Sequence, residues 1–335
     1  MQSGEASAGP AIRRPRVCYV ILSHKDWPQV NRLAQAILAS SPSSRVLIAH
    51  DGRHETFPTR VPDERIEIVE HGLAADWGSW ELVEAMLEAL IQARERTDPD
   101  LVCLISGQDY PVRRLEEWES EAIAAQGWIG SAEPIDYTPR WGRRRGVGSD
   151  NLTRYAYRWF RTPASRMGIR VPGRSGDFLR RLRDAIALRA EPLVSVRHVT
   201  RGRGVYWGVR RIPSPFGPTT PCWYGSQWLA LHRRELDRLV HVDLAPGSRL
   251  RRLYRRSIIP DESALVTALA WRRPPAPLPP VSHMVWDVAR DEPKTWTRDD
   301  LEILLDSGSP FCRKVDPVAS TTLLDALDDV IVASR

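Results

Sequence analysis

Val17–His24 reads VCYVILSH and Leu101–Asp109 reads LVCLISGQD, two apolar runs that each stop abruptly at small and polar residues. An unbroken apolar run of this length predicts a β-strand buried on both faces. Working outward from the first run, Asp26 is placed to cap a helix that tolerates Pro28 in its first turn. Val30, Leu33, Ala34, Ile37 and Leu38 then keep helical spacing. Arg45–Asp51 (RVLIAHD) and Ile66–Glu70 (IEIVE) read as further strands. Ser79 is placed to cap a helix with the stripe Val83, Met86, Leu87, Leu90 and Ile91. Buried strands alternating with amphipathic helices predict an α/β fold: a Rossmann-type, mostly parallel sheet flanked by helices. Such sheets bind ligands beyond the carboxyl ends of their strands. Ser23-His24-Lys25, His50-Asp51 and Ser106-Gly107-Gln108-Asp109 gather there, which predicts a ligand cleft.

The chain has 335 residues, enough for one large domain. At 42% hydrophobic and 27% charged, its balance is globular. No apolar run approaches the roughly 18 residues a membrane span needs. The first fifteen residues are small and polar, so a flexible tail is expected before a domain spanning 16–335. That tail has no apolar core of a secretory signal. Cys18, Cys103, Cys222 and Cys312 form no CxxC pair, which disfavours a thiolate metal site and a disulfide framework. The location expected on these grounds is cytoplasmic.

Charge is uneven. Residues 140–211 carry nineteen arginines against four acids, so the rest of the chain is net acidic although the total is +6. Trp141, Tyr155, Tyr157, Trp159, Phe160, Tyr206 and Trp207 lie in the same segment. It reads either as a solvated Arg-rich insertion or as a surface for nucleic acid or another polyanion, an anionic substrate or a membrane surface. Against nucleic acid, the charge is confined to one segment and no RNA- or DNA-binding motif accompanies it. Lys25, Lys294 and Lys314 are the only lysines, and each is a compact point charge in an arginine-dominated chain.

Farther on, Asp177–Ala190 carries a helical stripe, and Trp223–Val240 reads as a short strand entering a helix. Ser257–Ala270 reads as a helix starting at Pro260, with Asp261 and Glu262 in its first turn. PPAPLPP (Pro274–Pro280) is a stiff connector. The segment from Trp296 to the end reads as helical, interrupted near SGSPFCRKVDP. Neither GxGxxG after the first strand nor a P-loop is present. Asp98-Pro99-Asp100 spells a possible metal motif, but it precedes the strand Leu101–Ser106 and so lies at the wrong end of the sheet.

Taken in order, YVILSHKD, AADWGSWELVEAMLEAL, LISGQDYPVR, YGSQWLAL, IPDESALVTAL, EPKTWT and PFCRKVDP resemble the core-2/I-branching glycosyltransferases. This is glycosyltransferase family 14, which includes the peptide xylosyltransferases. The resemblance spans roughly residues 17–317 and is thin between 135 and 220. It implies a GT-A-like fold in a single large domain with the Arg-rich stretch as an insertion on the acceptor side or as a lid. It further implies inverting transfer of a GlcNAc- or xylose-type sugar from a UDP-sugar to an acceptor hydroxyl, with the UDP-sugar as substrate and no metal or other cofactor. Glu262 matches the family's catalytic base, Asp51 its uracil contact, and Arg313 and Lys314 the basic pair that meets the diphosphate. The resemblance also puts Ser23, His24, Trp77 and Gly78 on the donor side, and Asp109, Ser226, Trp228 and Asp261 around the sugar or acceptor. Departures occur at Cys312 and Val315, which flank the basic pair, and at Glu292, where the family has His. Secretory-pathway members carry a membrane anchor and many disulfides. This chain shows neither and resembles a soluble bacterial-type member with a carbohydrate or small-molecule acceptor, and an anionic acceptor is one reading of the arginines.

The residues alone are compatible with that chemistry. Inverting transfer needs one carboxylate to take the acceptor proton and positive charge on the departing diphosphate. On sequence alone Glu262 reads first as a complement to the helix dipole, and Arg313–Lys314 as a solvated surface pair; the resemblance reverses that reading for Glu262. A polyanion-binding protein and a catalytically silent scaffold are the competing readings.

Overall fold

A computed structural model describes residues 16–332 apart from 143, 163–180, 183–184, 186–188, 200–203 and 288–291. The expected tail over 1–15 and most of the expected helix over 177–190 lie outside the described residues.

The apolar runs form the centre. Strands β1 (Val17–Ser23), β2 (Arg45–His50), β3 (Ile66–Glu70) and β4 (Leu101–Ser106) lie parallel in the order β3-β2-β1-β4. All side chains of β1 and β4 are buried, as two-sided burial of unbroken apolar runs requires. Leu229–His232 adds antiparallel to β4, and Gly127–Trp128 completes the six-stranded sheet. Helices α1 (Trp27–Ser40) and α2 (Trp80–Thr97) bury Val30, Leu33 and Ile37, and Val83, Met86 and Leu90, against it. The fold is thus mixed α/β with a mostly parallel central sheet flanked by helices.

Ser79 caps α2 as expected, its hydroxyl accepting from the Leu82 N–H at 3.1 Å. Asp26 precedes α1, but its side chain does not cap. Its backbone is left-handed, and the Glu55 carboxylate accepts from the N–H groups of Asp26 and Trp27 at 2.6 and 3.1 Å instead. A remote acid thus meets the orphan donors of the helix start.

Two other expectations are corrected. Trp223–Val240 is not one strand entering a helix: Cys222–Gly225 pairs with Ala132–Ile135 and Leu229–His232 joins the main sheet before the helix Arg233–Arg238. Ser257–Ala270 is not one helix: Pro260–Glu262 forms a single 3-10 turn, and the helix runs only from Ala264 to Ala270. The interruption near Cys312 contains a strand, Phe311–Arg313, which pairs antiparallel with β5 (Asp109–Pro111) in the register Arg313 to Asp109. Asp98 and Asp100 sit at the amino end of β4 and pair with Arg16, Arg94 and Arg233, away from the carboxyl ends of the parallel strands.

The described part of the Arg-rich segment is folded. Tyr157–Arg161, Gly204–Arg210 and Val194–Val199 form a three-stranded antiparallel sheet. Tyr157, Trp159 and Val199 bury Ile258 and Ile259, the residues that lead into Pro260–Glu262. All four cysteines are buried free thiols. Among the described residues, no helix is long and apolar enough to cross a membrane.

Candidate active site: two chambers joined at Arg313

Beyond the carboxyl ends of β1, β2 and β4 lies a cavity of about 810 Å³. Ser23, His24, Asp51, Trp77, Arg313 and Lys314 all line it. A second cavity of about 730 Å³ is lined by Trp77, Ser226, Trp228, Asp261, Glu262 and Arg313, among others. Trp77, Gln227, Trp228, Pro293 and Arg313 line both, so the two are chambers of one cleft. Two of the residues assigned from the resemblance line neither chamber. Gly78 sits behind Trp77 with φ +68, and a Cβ there would press on Ile259 at 3.3 Å. Its carbonyl accepts from the Ile259 N–H at 3.2 Å, so it joins the start of α2 to the Pro260–Glu262 turn. Asp109 is fully buried beneath the cleft floor.

Asp51 directly follows β2, and its N–H donates to the Ser23 carbonyl at 2.8 Å. Its carboxylate is gripped by Arg53 two residues on, with Nη2 donating to Oδ2 at 2.5 Å, and Arg53 also reaches Asp76 at 3.0 Å. Burial pushes the Asp51 carboxyl up, but Arg53 outweighs it and the net displacement is downward. The Ser23 hydroxyl lies 3.0 Å from buried His50 Nδ1. His71 lines the same chamber, and burial lowers its imidazole below the ordinary value.

Arg313 owes its place to strand pairing. Asp109, its partner across β5, lies 3.7 Å from Nη1, and Arg313 Nη2 donates to Gln108 Oε1 at 3.4 Å. Asp109 accepts from the Ser106 N–H at 2.5 Å and from the Ser282 hydroxyl. Burial drives its carboxyl up, while Arg313 draws it back. The guanidinium sits over the Trp228 ring, 5.2 Å from its centroid, a cation–π contact at the junction of the chambers. Trp296 fixes the turn beyond, its N–H donating to the Lys314 carbonyl at 3.0 Å and its indole to the Arg313 carbonyl at 2.8 Å. Lys314 Nζ donates to Glu292 Oε2 at 2.8 Å, so Glu292 is the lysine's partner.

Glu262 is set by the turn around it. Tyr155 donates to the Ile259 carbonyl at 3.0 Å, and the Ser263 hydroxyl donates to the Trp223 carbonyl at 2.7 Å. Arg154 Nη1 donates to Glu262 Oε2 at 2.5 Å. Burial and the neighbouring Glu262 carboxylate push the Tyr224 phenol up to about 12. Sequence reasoning missed Arg53, Arg154 and His71. Arg53 had a local signal, since it lies two residues from Asp51, but Arg154 lies 108 positions from its partner.

Three arginines of the basic segment are committed inside the fold, whereas Arg140, Arg144, Arg145, Arg158, Arg161, Arg181 and Arg189 are exposed. Arg154 holds Glu262, Arg197 bonds Asp150, and Arg211 bonds the Leu253 carbonyl at 2.9 Å. Arg161 lines the first chamber. Among the described residues, no cluster of three or more His, Cys, Asp or Glu side chains is placed to hold a metal ion.

No family model matches this chain. No curated protein matches it. Among solved structures it is similar to HddC from Yersinia pseudotuberculosis, at 9% identity and a TM-score of 0.25, over 40% of this chain and 72% of that one. A likeness of that extent settles neither fold family nor activity.

Proposed function

We propose that this chain is a glycosyltransferase with a GT-A-like fold, related to the core-2/I-branching family, that moves a sugar from a UDP-sugar to an acceptor hydroxyl with inversion. One observation carries the reading: Arg313 faces both chambers, with Asp51 and Lys314 in the first and Glu262 in the second. The first chamber suits a nucleoside diphosphate, with a carboxylate at the strand end for a base N–H and cations for phosphate oxygens. The second suits an acceptor beside a general base.

In this reading the sugar spans the junction under Trp228. Glu262 takes the acceptor's hydroxyl proton as that oxygen attacks the anomeric carbon from the face opposite UDP. The bond to the diphosphate oxygen breaks with its electron pair leaving on UDP, and Arg313 and Lys314 meet the growing negative charge. Direct displacement needs no second carboxylate nucleophile.

The test is a binding titration with UDP followed by a UDP-sugar hydrolysis panel on purified protein. Saturable UDP binding and UDP release from at least one donor are expected. Absence of UDP binding at ordinary salt, with tight salt-sensitive binding of unrelated oligonucleotides, would replace this reading with the polyanion-binding one.

A further inference from the structure

The second chamber has a wall that the transfer chemistry does not require. The proline connector runs along it, contributing Pro275, Ala276, Pro277 and Pro280. It is anchored by the Trp128 indole, which donates to the Pro279 carbonyl at 2.7 Å. Met284 and Trp286 continue the wall and are 44% and 45% exposed. Tyr224 lines the same chamber, and Trp77 and Trp228 close it toward the junction.

Several polar groups in the chamber are already engaged. Ser226 Oγ accepts from the Trp228 N–H at 3.1 Å, the Ser282 hydroxyl donates to Asp109, and Glu262 holds Arg154. Ser131, Glu133, Gln227 and Arg313 lie elsewhere in the lining, but a bare saccharide laid along proline, alanine and methionine would lose water from the hydroxyls on that side without gaining side-chain partners there, which is costly. A flat apolar body would gain from the same surface, and the rigid prolines present it preformed. Aromatic faces at the junction and at Trp286 favour a planar ring system.

Resting on the glycosyltransferase reading, we propose that the acceptor is a hydroxyl-bearing molecule with a flat aromatic body. That body lies against the proline connector, Met284 and Trp286, and its hydroxyl is directed to Glu262. The connector is then a specificity-determining wall.

The test uses the full chain and two probes, 2-naphthol and maltotriose, titrated calorimetrically with and without saturating UDP. Naphthol should bind saturably and at least tenfold more tightly than maltotriose. Ala276→Asp and, separately, Met284→Asp should each weaken naphthol at least tenfold. A UDP titration of each variant reports an intact fold. Maltotriose binding as tightly as naphthol would overturn the proposal, as would naphthol binding indifferent to both substitutions. UDP binding without naphthol binding sinks the acceptor assignment alone. Naphthol binding that responds to the substitutions, without UDP binding, sinks the donor reading and leaves the chamber's ligand class standing.

Discussion

Arg154 and Glu262 are joined twice: the guanidinium donates to the carboxylate at 2.5 Å, and the Arg154 carbonyl accepts from the N–H of Ile258 at 3.3 Å, four residues before the glutamate. The Trp159 indole also donates to the Arg154 carbonyl at 3.0 Å. The basic segment thereby sets the position of the residue assigned as base. Glu262→Gln should lower transfer by about 10²–10⁴-fold with UDP affinity retained, because the amide keeps the shape but takes no proton. Arg154→Gln should lower kcat by roughly tenfold, the scale of a coupling near 1.4 kcal/mol, and should add little in the Glu262→Gln background. Additive effects in that cycle would reject the positioning role, and transfer by Glu262→Gln within tenfold of wild type would reject the base.

Asp51→Ala should weaken UDP more than it slows the saturated reaction. The substitution removes a carboxylate acceptor and releases Arg53 from its bond. A charge-assisted bond contributes about 1.5–3 kcal/mol, or roughly 10- to 150-fold in affinity. Unchanged affinity in a calorimetric titration would leave Asp51 as no more than the anchor of Arg53.

Transfer should persist in excess EDTA and fall in Lys314→Ala. Lys314 rests on Glu292, so Glu292→Gln should release it toward the diphosphate and tighten UDP. The readouts are initial rates with and without chelator and UDP titrations of both variants. Full dependence on Mg²⁺ or Mn²⁺, or a Lys314→Ala enzyme as active as wild type, would reject cationic side chains as the leaving-group partners.

His71 gives the fold an acid-sensitive element. Burial holds its imidazole below the ordinary value near 6.5, with Asp51 pulling up and His50 and Arg53 pushing down. The unfolded ring therefore binds its proton first as pH falls, and unfolding takes up a proton. The contribution to stability is present above about 6.5 and is lost as pH falls toward the depressed folded value. Thermal midpoints should drop between pH 7.5 and 5.5, and His71→Asn should flatten part of that slope. An unaltered slope would assign the acid sensitivity to other groups.

The central sheet was legible because two-sided burial leaves a mark in sequence: β1 and β4 are unbroken apolar runs, and of the residues that end them Ser23, His24, Lys25, Ser106 and Gln108 line the first chamber. What was hidden depended on distance along the chain. Pairing of β5 with Phe311–Arg313 joins residues some two hundred positions apart and buries Asp109, which on sequence alone sat at a strand end like any ligand-facing acid. Gly78 likewise sits in a run of site-like residues, yet its close approach to Ile259 could be seen only once the Pro260–Glu262 turn was placed. The mistaken helix over Ser257–Ala270 has a local cause. Ile259 adopts a left-handed backbone at φ 50 before Pro260, and Ser263 breaks the turn from the helix that follows.

The hydrogen bond from the Ile259 N–H to the Gly78 carbonyl has a consequence for how the two chambers communicate. Trp77 faces both chambers one residue from this bond, and Glu262 stands three residues beyond its other end. A donor that settles Trp77 thereby settles the base, and by thermodynamic reciprocity an acceptor seated on the base favours the donor. Ligands of the two chambers should accordingly tighten one another by the same factor. UDP should lower the acceptor's Kd in a calorimetric titration and the acceptor should lower that of UDP equally, and affinities independent of one another would show that the bond transmits nothing.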